Sequence, residues 1–471
     1  MPNNLTARVD NFAVYLPAVQ RVSAETLTDA KQLLREKHVL PNIKAGELNW
    51  LLENNKHWEY KWCLASAGHL YNRNKDNIIS TRYPHSIVVG DSSGYQIGTG
   101  KLKATKEWKA FATDTAKVKE KWLQSGIRRH ILEWLDVNCN YAMTLDMPLW
   151  VADKNLGGDS PFHHFSTDEL TELSVDNLRF FDSYRDRQTG TQFLNVLQGF
   201  GGSEPSTQYA NSLASEEHWY NAVKGFAFEG WALGGDVGWR GGIYRVLRRL
   251  LILRDDGFLT APRNWCHVLG VSQVCWAVML TAIQRAIRKH VNDQFTISYD
   301  SASPYMVAGQ FQQYAVKPNL SQYLEDWVIK NIKMPTGYGI ANYSQPEPFP
   351  HYSPIASLFT LQDLNVNKSP YAKKHTDALA DEVLINHNVY VYVSTFIEAN
   401  ELVFNNPQQA PSDFVRAAAI IDKLFEIDDW QPLLDSNKQY LQSILDRAPS
   451  NDYDFDYSYD CHSDDDDEVD E

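Results

Sequence analysis

The sequence predicts an α/β protein built around a parallel TIM-type (β/α)8 barrel with additions at both ends, on three observations. Between about residues 85 and 305, short β-rich runs alternate with longer amphipathic stretches, the order expected of successive βα units around a parallel sheet. Nearly every run ends on a polar residue: Asp91, Asp146, Gln198, Glu229-Gly230 and Asp300. The 471 residues also have room for a barrel of roughly 250 residues with extra segments.

In chain order, residues 1–84 form an N-terminal addition that includes the first barrel elements, with a helix expected over 24–35. The barrel core spans residues 85–334. Its runs are Ile87-Val88-Val89, Ala142-Met143-Thr144-Leu145, Phe193-Leu194-Asn195-Val196-Leu197, Phe226-Ala227-Phe228, His267-Val268-Leu269 and Phe295-Thr296-Ile297-Ser298, each short enough for a buried strand. Ser166 and Glu169 make a capping-box signature ahead of Leu170, Leu173 and Leu178. Residues 244–253 read as a basic amphipathic helix, and glycines at 199, 201, 202, 234 and 235 punctuate strand ends. Proline-rich text over 335–354 opens a mainly helical C-terminal addition, residues 335–450, with helices expected over 413–427 and 430–445. The tail, 451–471, is acidic and too poor in aliphatic residues to fold.

Composition narrows the class. Hydrophobic residues at 43%, charged at 22% and aromatic at 12% describe an ordinary globular chain, neither fibrous nor membrane-spanning. The longest apolar stretch, residues 271–283, contains Ser272, Gln273 and Thr281 and is too short for a membrane helix. Five cysteines without paired spacing, behind an N-terminus lacking a basic-then-apolar leader, predict a cytoplasmic protein with reduced thiols. The net charge of −15 is mostly the tail: residues 452–471 hold eleven Asp or Glu and no Lys or Arg, leaving 48 acidic against 44 basic residues elsewhere. Such a tail either aids solubility or competes with phosphates for a basic surface.

In a parallel barrel the carboxyl ends of the strands converge on one face, where catalytic groups of such folds gather. Three aspartates there are hard to explain as core, because a buried carboxylate without a partner is costly. Carboxylates can divide labour, one attacking an anomeric carbon while another moves protons, so glycosyl transfer or hydrolysis leads. Gln198 and the Gly230 amide supply a neutral donor and acceptor suited to the edge of a planar heterocycle, and Tyr95 and Trp231 supply rings to stack on it.

Read together, these segments resemble a known family. Asp91-Ser92-Ser93-Gly94-Tyr95-Gln96 resembles the DSGGFQ motif of queuine and archaeosine tRNA-guanine transglycosylases, and Gly68-His69-Leu70-Tyr71 is similar to their YHLY text. Thr144-Leu145-Asp146 resembles the FDE segment, Val196-Leu197-Gln198-Gly199 resembles VQGG, and residues 225–234 resemble GYAIGGLAVG. Val268-Leu269-Gly270-Val271 resembles YLMGVG, and Tyr299-Asp300-Ser301-Ala302-Ser303-Pro304 resembles FDCVMPT. The resemblance covers about residues 65–305 in order. It implies that Asp300 is the nucleophile on C1′ of the target nucleoside and Asp91 the general base. Asp146, with Ser92, Gln96, Gln198, Gly230 and Trp231, would bind the guanine or 7-deazaguanine base.

Departures from the family pattern point to a DNA substrate. The tRNA enzymes carry CxCxxC and a distant His after the nucleophile, whereas the only cysteine here after Asp300 is Cys461. Cys266-His267 and Cys275 lack structural zinc spacing, so neither a zinc subdomain nor any metal or cofactor is expected. This combination resembles the phage DNA-guanine transglycosylases, which insert 7-deazaguanines such as 7-cyano-7-deazaguanine. The expected partners are therefore DNA and a free 7-deazaguanine base, in the host cytoplasm if the gene is a phage's, with Glu229 and Trp231 reshaping the pocket. DNA phosphates need cations. The candidates are Lys101, Lys103, Lys106 and Lys109, then Arg240, Arg245, Arg248 and Arg249, then Arg285, Arg288 and Lys289. The alternatives are a zinc-less tRNA enzyme, a non-catalytic nucleic-acid-binding subunit, and a retaining glycoside hydrolase, which would use Glu-based pairs.

Overall fold

The computed structural model describes residues 3–19, 43, 45–70, 78–79, 82–153, 155–156, 160–334, 348–349, 352–365 and 376–448. The helix expected over 24–35, most of the proline-rich text and the acidic tail lie outside them.

Eight parallel strands close into a barrel: β1 Val14–Val19, β2 Trp62–Ser66, β3 Ile87–Asp91, β4 Tyr141–Met143, β5 Gln192–Leu197, β6 Gly230–Leu233, β7 Trp265–Val268 and β8 Thr296–Ser301. Each pairs with its sequence neighbours, and β8 closes the ring on β1 in the register Ser298↔Val14 to Ser301↔Pro17. Side chains alternate between the lumen and the surrounding helices along each strand. Trp62, Tyr141 and Trp265, the first residues of β2, β4 and β7, meet at the amino-terminal end of the lumen. Tyr141 stacks on Trp265 at 4.0 Å between ring centres, and Trp62 lies 5.8 Å from it. These rings fill that end.

The sixth strand departs from the sequence expectation. The Phe226-Ala227-Phe228 run precedes the strand, and β6 begins at Gly230 and ends before Gly234-Gly235. Gly230 therefore sits at the amino-terminal end of the barrel, opposite Leu194 and Trp265, where a Cβ would come within 2.4 Å of the Trp265 carbonyl oxygen.

Helices α1 Thr115–Gln124 and α2 Ile127–Asn138 connect β3 to β4; α3 Thr167–Tyr184, α4 Pro205–Val223, α5 Gly242–Asp255 and α6 Val274–His290 make the later crossovers. The capping box at Ser166 and Glu169 starts α3. After β8 comes the short α7, Ser303–Gly309, then an antiparallel ribbon of Gln313–Val316 with Lys330–Lys333.

The C-terminal helices α8 Ala378–Asn405, α9 Ser412–Glu426 and α10 Gln431–Asp446 pack directly on the barrel: α8 against β1, α6 and α7, α9 against α6, and α10 against α5. Helix α8 is buried on almost every side, and three consecutive polar residues stitch it to separate segments. Asn386 donates to Leu48 O and accepts from Trp58 Nε1, and His387 bonds Ala315 O and Ser353 Oγ. Asn388 accepts from Ala315 N and donates to Pro304 O and Gln313 O. Among the described residues, no helix is long and apolar enough to cross a membrane.

Candidate active site

The carboxyl ends of β3, β4, β5, β7 and β8 bring Asp91, Asp146, Gln198, His267 and Asp300 to one mouth of the barrel, the end where catalytic groups of this fold collect. Asp300 leads from β8. His267 Nε2 lies 3.1 Å from its Oδ1, and the Gly270 amide donates to the same oxygen at 3.0 Å. Among the described residues, no hydrogen bond reaches Oδ2. The Asp300 side chain is 14% exposed and that of His267 is fully buried.

Asp91 ends β3 and accepts from the Ser93 amide at 3.2 Å. Burial raises its carboxyl above the usual range and the Asp300 charge adds to that, while the Ser66 hydroxyl, the Ser93 amide and His267 oppose it. Ser93 occupies the left-handed backbone region at φ 73°. Its hydroxyl takes the Gly68 amide hydrogen bond and lies 3.1 Å from Ser66 Oγ. A Cβ on Gly68 would meet Ser93 at 2.7 Å, so glycine is required there.

Asp146 follows β4, next to Gly94 of the turn after β3. Burial, and then the Asp91 charge, push its carboxyl up to about 7. Gln198 is fully engaged by protein: its amide donates to Asp146 Oδ2 at 2.6 Å and to Met147 O at 3.1 Å, and its Oε1 accepts from Leu149 N at 2.9 Å. It orients Asp146 and offers no edge of its own to a ligand. Ser92 is buried beside Asp91, and Gln96 lies in the following one-turn helix. Tyr95 lies beside Trp150, with ring centres 6.0 Å apart.

Other expected site residues lie elsewhere. Gly230 is at the opposite end of the barrel, and Trp231 faces outward between Tyr220 and Phe258, donating to Phe258 O. Glu229 bonds Arg185 and the Phe193 amide at that same far end. Arg245 and Arg249 are buried around Glu216 of α4, and Arg248 Nη1 lies 3.7 Å from the same carboxylate. Arg285, Arg288 and Lys289 fall in the second half of α6, which runs from the mouth to the far end. There Arg285 covers Phe404, Arg288 donates to Phe295 O, and Lys289 pairs with Asp422. Arg240 is half-buried in the turn after β6. Lys101, Lys106 and Lys109 are exposed in the segment after the β3 motif, and the Lys103 side chain lies outside the described residues.

Among the described residues, no group of three His, Cys, Asp or Glu side chains is placed to hold a metal. Cys266 and Cys275 are buried, and burial pushes the Cys275 thiol up to about 12.

Sequence reasoning passed over His267 as a strand residue. Its signal was pairing parity: His267 is opposite Ser298, two residues before Asp300, so all three face the lumen. The mouth therefore offers one carboxylate with an untied oxygen, a second with raised proton affinity, and a third suited to hydrogen-bonding a heterocycle. No protein-family model and no curated protein matches this chain.

Proposed function

We propose that the chain is a guanine transglycosylase that exchanges guanine in DNA for a 7-deazaguanine base, such as 7-cyano-7-deazaguanine. The observation that carries the reading is Asp300, whose Oδ1 is tied to His267 and Gly270 at the barrel mouth while Asp91 and Asp146 stand nearby. The ordered motifs resembling guanine transglycosylases support the same roles.

In this reading Asp300 Oδ2 attacks C1′, the C1′–N9 bond breaks with its electron pair going to the base, and an aspartyl–DNA ester forms. Asp91, whose raised proton affinity suits the task, protonates departing guanine. The incoming base then loses its N9 proton to Asp91 and attacks C1′, releasing Asp300, so no proton is gained or lost overall. Asp146, poised near neutrality, hydrogen-bonds the base edge with Gln198 holding it in place. A guanosine in duplex DNA must be swung out of the stack, at a cost of a few kcal/mol. The exposed Lys101, Lys106 and Lys109, in the segment after β3, support a phosphate contact.

Incubation with guanine-containing DNA or tRNA, followed by denaturing electrophoresis, tests the reading. A covalent DNA adduct is expected from the wild-type chain and none from Asp300→Asn. Trapping by that variant removes Asp300 as nucleophile, and adducts with tRNA alone move the substrate to RNA. Modified deoxynucleosides in plasmid DNA from cells supplied with 7-deazaguanine precursors give the matching readout in vivo.

A further inference from the structure

His267 heads a hydrogen-bonded chain whose direction can be worked out. An indole N–H only donates, so Trp265 Nε1 must give its proton to Ser298 Oγ, 2.8 Å away. Ser298 Oγ keeps a second lone pair and its own hydrogen, so either direction is open toward His267 Nδ1 at 2.9 Å. For a neutral ring, the Asp300 carboxylate at Nε2, which as a nucleophile only accepts, selects the direction in which Ser298 donates. A Nδ1 that accepts leaves the ring proton on Nε2, which faces Asp300 Oδ1 at 3.1 Å. Trp265 and His267 alternate along β7, Ser298 and Asp300 along β8, and His267 is paired directly opposite Ser298. All four therefore face the lumen, rising from its aromatic floor to its mouth. The titratable groups facing this pair include Asp91 on β3 and the neutral Tyr15 phenol on β1.

We infer that His267 is a positioning residue for Asp300: held in its Nε2–H tautomer between Ser298 and the Asp300 carboxylate, it ties Oδ1, with the Gly270 amide, and leaves Oδ2 aimed at the reacting carbon. The inference rests on the reading of Asp300 as nucleophile. A histidine that merely filled the core would need neither this tautomer nor this direction.

Two measurements decide it. In protein labelled with ¹⁵N-histidine, near neutral pH, the His267 resonances, identified by their loss in His267→Gln, should show a pyrrole-type Nε2 and a pyridine-type Nδ1. In adduct formation with guanine-containing DNA, Ser298→Ala and His267→Leu should lower the trapping rate by about a hundredfold, the order expected when a reacting group is misplaced, with the DNA concentration for half-maximal rate unchanged. His267→Gln, which restores an N–H donor, should recover part of that rate. A protonated Nδ1 in the wild-type spectrum, or wild-type trapping by His267→Leu, overturns the inference. If the wild-type chain traps no nucleic acid, the transglycosylase reading fails, and the spectrum still decides the hydrogen-bond chain.

Discussion

Asp146 shows how far a single carboxylate can be moved by its surroundings. Buried beside Asp91, it titrates at about 7 against 3.8 for a free side chain. A folded-state value raised above the unfolded one means that the contribution to stability is full below about 4 and is lost as pH climbs to about 7. Asp146→Asn removes that loss. Thermal melts should show the variant gaining on wild type from pH 5 to pH 8, by up to a few kcal/mol, and a constant difference across that range would refute the assignment. Some of this was legible. Asp91, Asp146 and Asp300 were singled out because acids at the ends of β-rich runs have no place in a core, and the structure brings them to one mouth. Gln198 was found too, but its hydrogen bonds to Met147 and Leu149 come from tertiary placement that no spacing encodes. Ser93 replaces a glycine of the motif it resembles, and its φ of 73° explains why glycine suits that place.

At the scale of elements, helix α5 reads as a basic strip because its partner is remote in sequence. Arg245 and Arg249 close on Glu216 of α4, and all three side chains are at most 2% exposed. The cluster joins two crossover helices. Glu216→Ala leaves two guanidinium groups buried without their carboxylate, which should cost about 3–5 kcal/mol in urea unfolding. A loss below 1 kcal/mol, on the order of a surface pair, would show the cluster to be solvated. The arginines of α6 were misplaced for a different reason, since a helix following a barrel strand descends, carrying its later residues away from the mouth. The sixth strand was misread because Gly-Phe-Ala-Phe-Glu-Gly and Gly-Trp-Ala-Leu-Gly-Gly both fit one motif, five residues apart. Only closure of the ring, with Gly230 against Trp265, selects the second register.

For the whole molecule, residues 378–448 belong to the barrel's packing. Helix α8 covers the seam where β8 meets β1, with Phe396 against Tyr15 and Tyr299, and its Asn386, His387 and Asn388 bond Leu48, between β1 and β2, and Ala315, after β8. Stopping the chain after residue 377 exposes that seam. The truncated protein should lose its cooperative unfolding transition by circular dichroism, whereas a persisting transition would show that the barrel stands without α8. The βα alternation announced the barrel, yet β1 was hidden because Pro17 sits inside its run, and proline argues against a strand in a ladder.

The ring cluster of Trp62, Tyr141 and Trp265 fills the amino-terminal end of the barrel interior, opposite the mouth that carries Asp91 and Asp300. In the proposed reaction a long polymer lying across that mouth would share it with any free base. If the proposed exchange runs at this mouth, the departing base would clear before the next is admitted, with the polymer still held. Such sequential occupancy is what the proposed double displacement would require.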